Sequence, residues 1–128
     1  MRIEHIAIWT DNLETMKDFY VKYFNLQSNK LYRNEKKGFT SYFLSFPDGA
    51  RLELMKRVDV KGHPNRSQEF EGYAHMAISV GSKEEVLRLT KELENENYTV
   101  FGQARQTGDG YFESVVLDPD GNKIEITI

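Results

Sequence analysis

The chain repeats itself, and the repeated letters are those that bind divalent metals. Ile3-Glu4-His5-Ile6-Ala7-Ile8 near the start returns as Tyr73-Ala74-His75-Met76-Ala77-Ile78. Pro47-Asp48-Gly49-Ala50-Arg51-Leu52-Glu53-Leu54 returns as Pro119-Asp120-Gly121-Asn122-Lys123-Ile124-Glu125-Ile126. The two histidines are 70 residues apart and the two glutamates 72. A near-constant offset over half the chain marks an internal repeat, so each copy must fold as a similar supersecondary unit. Two His and two Glu at equivalent places make a candidate four-ligand set.

Within the first copy, the alternation from Ile3 to Trp9 predicts a strand. Asp11-Asn12 predict a turn and a helix cap, and Leu13, Met16, Phe19, Tyr20 and Tyr23 follow at the spacing of a helix of about 13 residues. Asn25 and Asn29 suit its exit, Leu31-Tyr32-Arg33 a short second strand, and Lys36-Lys37-Gly38 a turn. Phe39 to Phe46 should form an aromatic-rich strand, its rings mostly in the core with some facing the cavity. Pro47-Asp48-Gly49 then joins it to Arg51 to Arg57 as a hairpin, because proline presets φ and glycine tolerates positive φ.

The second copy repeats the order. Ala74 to Val80 predicts a strand, and Ser82 with Glu85 forms a capping-box pattern ahead of a helix. Val86, Leu87, Leu89 and Leu93 should be that helix's apolar face. Tyr98 to Phe101 predicts a short strand, and Tyr111 to Leu117 with Lys123 to Ile128 a closing hairpin. The expected fold is α+β, two βαβββ modules that form half-barrels around a metal cleft. One domain over residues 1–128 is expected, with repeats at about 1–58 and 73–128 and a polar connector at 59–72.

Strand alternation decides which way the candidate ligands point. Ile6 and Ile8 oppose His5, Ala7 and Trp9; Leu52 and Leu54 oppose Glu53 and Arg57; Met76 and Ile78 oppose His75; Ile124 and Ile126 oppose Glu125. In all four strands an aliphatic face can pack on helices, which leaves His or Glu on the other face. A single strand histidine is more often a hydrogen-bonded core residue, and a glutamate near a hairpin a solvated charge. Two imidazoles and two carboxylates gathered on one concave face, however, would repel or stay unsatisfied without a cation. Such nitrogen and oxygen donors suit one divalent Zn, Ni, Co, Mn or Fe ion. Trp9 lies four residues after His5 and Arg57 four after Glu53, each on the ligand face, so both are candidate substrate contacts. His63 reads as an exposed loop residue and Gly108-Asp109-Gly110 as a turn.

Composition excludes several classes. The absence of cysteine removes disulfides, thiolate nucleophiles and sulfur ligands. A net charge of −3 with mixed signs argues against a nucleic-acid partner. No apolar run reaches a membrane span of about 18 residues, and the strand-like start shows no signal peptide, so a cytoplasmic protein is expected. Open sheet edges predict a homodimer.

The paired βαβββ reading, the strand histidines and the two hairpins ending in Arg51-Leu52-Glu53 and Lys123-Ile124-Glu125 resemble the vicinal oxygen chelate superfamily. Within it, the order His5, Glu53, His75, Glu125 is similar to the metal set of the glyoxalase I and glyoxalase-like group (lactoylglutathione lyase-related proteins). The resemblance spans essentially the whole chain. It implies a lyase or isomerase that moves a proton on a small oxygen-chelating substrate, such as a thiol hemithioacetal of a 2-oxoaldehyde. Glu125 would be the main base and Glu53 its counterpart, each also a ligand. The alternatives within the superfamily are a thiol transferase of the fosfomycin-modifying type and a non-catalytic, bleomycin-resistance-like binding protein. Bacterial glyoxalase I usually carries Arg where Trp9 stands and Asn where Arg57 stands, and both help bind glutathione, so the thiol pocket departs from the pattern.

Overall fold

A computed structural model describes residues 1–62, 69 and 71–128. The chain divides into two compact units, Met1–Pro64 and Asn65–Ile128, each an open mixed sheet carrying one α-helix.

In the first unit β1 (His5–Trp9) runs parallel to β5 (Arg51–Arg57), which pairs with β4 (Phe39–Ser45) as the expected hairpin. The helix α1 spans Leu13–Phe24 and ends at Asn25, which takes the left-handed conformation at φ 54°. Asparagine tolerates that region better than other residues with a Cβ, so it can end a helix as glycine does. The start differs from expectation: Asn12 makes no side-chain cap, and its N–H instead donates to the Thr10 hydroxyl at 2.9 Å. The sequence also concealed one strand, β2 (Gln27–Ser28), which pairs with β4 ahead of the foreseen β3 (Tyr32–Asn34). Asn29 explains the extra pairing. Its N–H donates to the Phe43 carbonyl at 3.0 Å, and its side chain accepts the Phe43 N–H at 2.8 Å. A single 3-10 turn, Glu35–Lys37, then leads through Gly38 at φ 55° into β4.

The core of this unit is one face of α1 against one face of the sheet. Met16, Phe19, Tyr20 and Tyr23 pack with Tyr42, Leu44, Leu52 and Leu54, all buried. Cutting a leucine such as Leu54 to alanine at such a site typically costs ~2–5 kcal/mol. The aromatics of β4 split. Tyr42 joins this core, with its hydroxyl donating to Glu14 at 2.6 Å, whereas Phe39 and Phe43 are half-buried on the opposite, His5-bearing face. Some of these rings were expected to leave the core, and Phe39 and Phe43 are two that do, because alternation sends successive strand residues to opposite faces.

The second unit repeats the plan in four strands. β6 (Met76–Ser79) runs parallel to β9 (Lys123–Thr127), β9 pairs with β8 (Phe112–Leu117), and β7 (Val100–Gln106) closes the far edge. β7 is longer than the Tyr98 to Phe101 reading, and bulges near Gly102 let it follow β8. The helix α2 spans Lys83–Asn95, and the Ser82 hydroxyl accepts the Glu85 N–H at 3.2 Å, as the capping pattern implied. Val86, Leu89 and Leu93 bury against Val116, Ile124 and Ile126; Leu87 is exposed and does not belong to that face. The aliphatic side of β1 is also less covered than foreseen, since Ile6 remains exposed. Among the described residues no helix is long and apolar enough to cross a membrane.

Candidate metal centre

The first donor pair is set by the parallel register of β1 and β5, which places Ala7 opposite Glu53 and His5 opposite Arg51. From the start of β1 the His5 ring leans along the sheet, and its Nε2 lies 3.9 Å from Glu53 Oε2. The ring is held from two sides. Phe43, directly across from Glu53, meets it edge-on at 5.5 Å between centroids. Glu4 accepts a hydrogen bond from His5 Nδ1, and the same carboxylate accepts from Arg51 Nε at 2.8 Å. The His5 hydrogen bond, ahead of that from Arg51, holds the Glu4 carboxyl below its ordinary range. With Nδ1 directed to Glu4, Nε2 is the ring nitrogen that faces Glu53, the arrangement a metal-binding histidine uses. Sequence reasoning missed Glu4, since an adjacent strand residue is read as facing the other way.

The second pair is tighter. His75 stands one residue before β6, and its Nε2 lies 3.3 Å from Glu125 Oε2 on β9. Glu125 is mostly shielded, with 18% of its side chain exposed, while His75 is 44% exposed. Burial, then the neighbouring Glu113 charge, raises the Glu125 carboxyl above its ordinary value; His75 opposes the shift. Glu113 is the other residue that sequence reading overlooked. Antiparallel pairing puts Val115 opposite Glu125 and Glu113 opposite Thr127, so Glu113 and Glu125 share a face one step apart. Its only sequence signal is a charge at an alternating position of a half-buried strand.

The structure thus brings His5 to Glu53 and His75 to Glu125, one pair in each unit. Among the described residues, no three His, Asp or Glu side chains gather as a single metal-holding cluster. Donor chemistry gives the test of fit. With metal–nitrogen and metal–oxygen bonds of about 2.1 Å, two donors on one ion stand about 3.0–3.4 Å apart. The His75–Glu125 pair has that spacing, and the His5–Glu53 pair is slightly open. A positive ion would also offset the repulsion around Glu125 that burial and Glu113 create. The residues fit a divalent cation. His63, read from the sequence as a loop residue, lies outside the described residues.

Trp9 and Arg57 sit on the same face as the first pair. The Arg57 guanidinium lies over the Trp9 ring at 5.1 Å from its centroid, and its Nε donates to Asp59 at 2.5 Å. Trp9 also meets Phe39 edge-on at 6.2 Å. Sequence reasoning singled out the tryptophan and the arginine but not their stacking on each other.

Comparison with known proteins agrees with this architecture. The family model described as Glyoxalase/Bleomycin resistance protein/Dioxygenase superfamily matches residues 2–126. Among solved structures, the chain is similar to the trypanothione-dependent glyoxalase I of Leishmania major, at 22% identity and a TM-score of 0.78, over 99% of this chain and 86% of that one. A glyoxalase family protein from Enterococcus faecalis gives 23% identity and 0.78 over 99% of this chain and 97% of that one. Glyoxalase I from Zea mays gives 18% and 0.80 over 98% of this chain, which spans only 44% of the maize chain. At these identities the structures speak for the fold alone, while the family match covers nearly every residue. The chain is a member of the Glyoxalase/Bleomycin resistance protein/Dioxygenase superfamily.

Proposed function

We propose that this protein is a metal-dependent, glyoxalase-like isomerase, a lyase in the sense of lactoylglutathione lyase. It would transfer a proton on a small oxygen-chelating substrate such as a thiol hemithioacetal of a 2-oxoaldehyde. The observation that carries the reading is the duplicated His–Glu pair, His5 with Glu53 and His75 with Glu125. The imidazole nitrogens and carboxylate oxygens of the two pairs would suit one divalent ion of Zn, Ni, Co, Mn or Fe. The two repeats, about 1–58 and 73–128, act as one functional domain. A homodimer covers the open edges that β1 and β6 present. The protein works in the cytoplasm, without a nucleic-acid or membrane partner.

The bound cation supplies Lewis-acid stabilisation of charge developing on neighbouring substrate oxygens. Glu125 would take the proton from the hemithioacetal carbon and return it to the adjacent carbon, while the hydroxyl proton passes to the neighbouring carbonyl oxygen, so a 2-hydroxy thioester forms with no atoms gained or lost. Burial and the neighbouring Glu113 hold its carboxyl above the ordinary value, which favours it as a proton acceptor. Glu53 serves as its counterpart on the other side. Glu4 fixes the His5 tautomer and ring plane. Trp9 and Arg57 contact the rest of the substrate.

The experiment is metal analysis of the purified protein, followed by turnover assays of 2-oxoaldehyde adducts with several thiols. Stoichiometric metal and turnover of one adduct are expected. Metal with epoxide–thiol transfer instead would mark a thiol transferase. A protein without stoichiometric metal that sequesters a small molecule would mark a binding protein.

A further inference from the structure

Beyond Glu53 the same sheet face runs on into a groove that the metal chemistry does not use. It has a volume of about 670 Å³ and is lined by Tyr32, Phe39, Lys37, Arg57 and Asp59 among others. That is ample for a drug-sized organic group. Resting on the isomerase reading above, we infer that this groove binds the tail of the substrate, and that the tail is a planar apolar group bearing one anion, such as an aryl carboxylate.

Register fixes where the groove lies. Arg57 pairs across to Phe39, and Phe39 to Asn34; one step back, Trp9, Met55, Ser41 and Tyr32 form the neighbouring row. Arg57 is four residues beyond Glu53 on the same face, so about 13 Å separates their backbones. A substrate held at its reacting end by Glu53 would need an extended tail to reach it. A bare three-carbon substrate would leave the groove unused.

The lining says what that tail is. Phe39 meets Trp9 at 88° and Tyr32 at 61°, each with 6.2 Å between centroids. Trp9 and Tyr32 keep 37% and 52% exposure, so this edge-to-face shelf is unfilled on its solvent side. A lone exposed ring requires no explanation, but Tyr32 and Phe39 line the groove and Trp9 abuts Phe39, so the three rings give it an apolar side. The charges lie at its rim. Arg57 and Lys37 outnumber Asp59, which engages Nε of a guanidinium that has four further N–H donors. A carboxylate matches that fork, and a planar group matches the rings. Glutathione matches poorly, because its ammonium group needs an acid and Asp59 is already paired.

Trp9 is the only tryptophan and contacts Phe39 and Arg57 of the groove lining, so its fluorescence reports on their occupancy. Full-length protein, with and without its divalent metal, would be titrated with phenylacetate, 2-phenylethanol, cyclohexylacetate, inorganic phosphate and glutathione, with calorimetry in parallel. Phenylacetate should alter Trp9 emission saturably and bind ~10-fold more tightly than each of the other four. Arg57→Ala should abolish the preference over 2-phenylethanol, and Tyr32→Ala should weaken both aryl probes several-fold. Both residues are surface-exposed to a degree that lets the fold survive, and thermal melts check this. Equal binding of glutathione or phosphate, or no effect of Arg57→Ala, would overturn the inference. So would loss of phenylacetate binding on metal removal, which would put its carboxylate at the donor pairs instead. A protein that takes up no metal yet still binds phenylacetate beside Trp9 would sink the isomerase reading and leave the groove's ligand chemistry standing.

Discussion

The two donor pairs occupy equivalent places in the two units, yet their surroundings have diverged. His5 has a carboxylate partner, Glu4, and an aromatic brace, Phe43. At the matching positions beside His75 and Glu125 stand Ala74 and Val115, which can do neither. Conversely, Glu125 has Glu113 beside it, where the register of the first unit places Ser41. The first unit is thus built to hold an imidazole still and to present an aromatic groove. The second is built to keep a carboxylate basic. Duplication kept the donors and let their neighbours specialise, which is how one repeated unit can supply two unlike roles.

The largest expected effects test the donors themselves. His75→Ala should lose most bound metal by elemental analysis, whereas His63→Ala should retain it; equal metal content in the two would break the assignment. Within the donor set, Glu125→Gln keeps an oxygen ligand and removes the base, so proton transfer should fall by ~10²-fold or more. Glu53→Gln should lose distinctly less in kcat. Equal losses measured on metal-loaded protein would erase the proposed division of labour between the units.

The pairing of His5 with Glu53 and of His75 with Glu125 was legible in the sequence because strand alternation has a strict period of two and the repeat applies it twice. The Pro-Asp-Gly turns located the hairpins, and helical spacing with capping residues located both helices. What stayed hidden depended on contacts between elements distant in sequence or on neighbours assumed to face apart. Glu4 reaches back along the strand to its own neighbour, and β2 exists because Asn29 bonds Phe43 fourteen residues away. The groove was hidden for a related reason: Tyr32 and Phe39 meet only through the β3–β4 pairing. Leu87 misled because a helix seldom buries every apolar residue that it carries.

The next effect down separates the two imidazoles. Glu4→Ala should weaken metal binding by ~10–100-fold, the usual consequence of losing a ligand's outer hydrogen-bond partner. No such partner can be removed at Ala74, so the reverse change, Ala74→Glu, should tighten binding or leave it unaltered. Competition against a fluorescent chelator reads both. If Glu4→Ala left affinity unchanged, the contrast between an oriented and an unoriented histidine would be without consequence. Dimerisation is checked in the same samples: sedimentation at micromolar concentration should give twice the chain mass, and a monomer would count against edge covering.

The smallest effect concerns Glu113 and works through pH. Burial first, and Glu113 second, raise the folded-state pKa of Glu125 above its ordinary value of 4.5. A group whose folded pKa is raised favours the native state while it is protonated, and that contribution is lost as pH rises through the folded value. In metal-free protein Glu125 should therefore become destabilising above the ordinary carboxylate range. The whole-protein curve will not display this by itself, because Glu4, Glu14, Glu85 and Glu94 have lowered values and gain stability over the acidic range as pH rises. A difference measurement isolates it. Glu113→Gln removes the neighbouring charge but leaves the burial, so the Glu125 titration followed by carboxyl-carbon NMR should move down without reaching its ordinary value. Arg105, 3.9 Å from Glu113, loses that ion-pair partner in the variant. Added divalent metal should then narrow the gap between the two proteins, since a nearby dication favours both carboxylates in their charged form. An unmoved Glu125 titration in Glu113→Gln would mean that burial alone sets its basicity, and the second unit would lose the feature that most distinguishes it from the first.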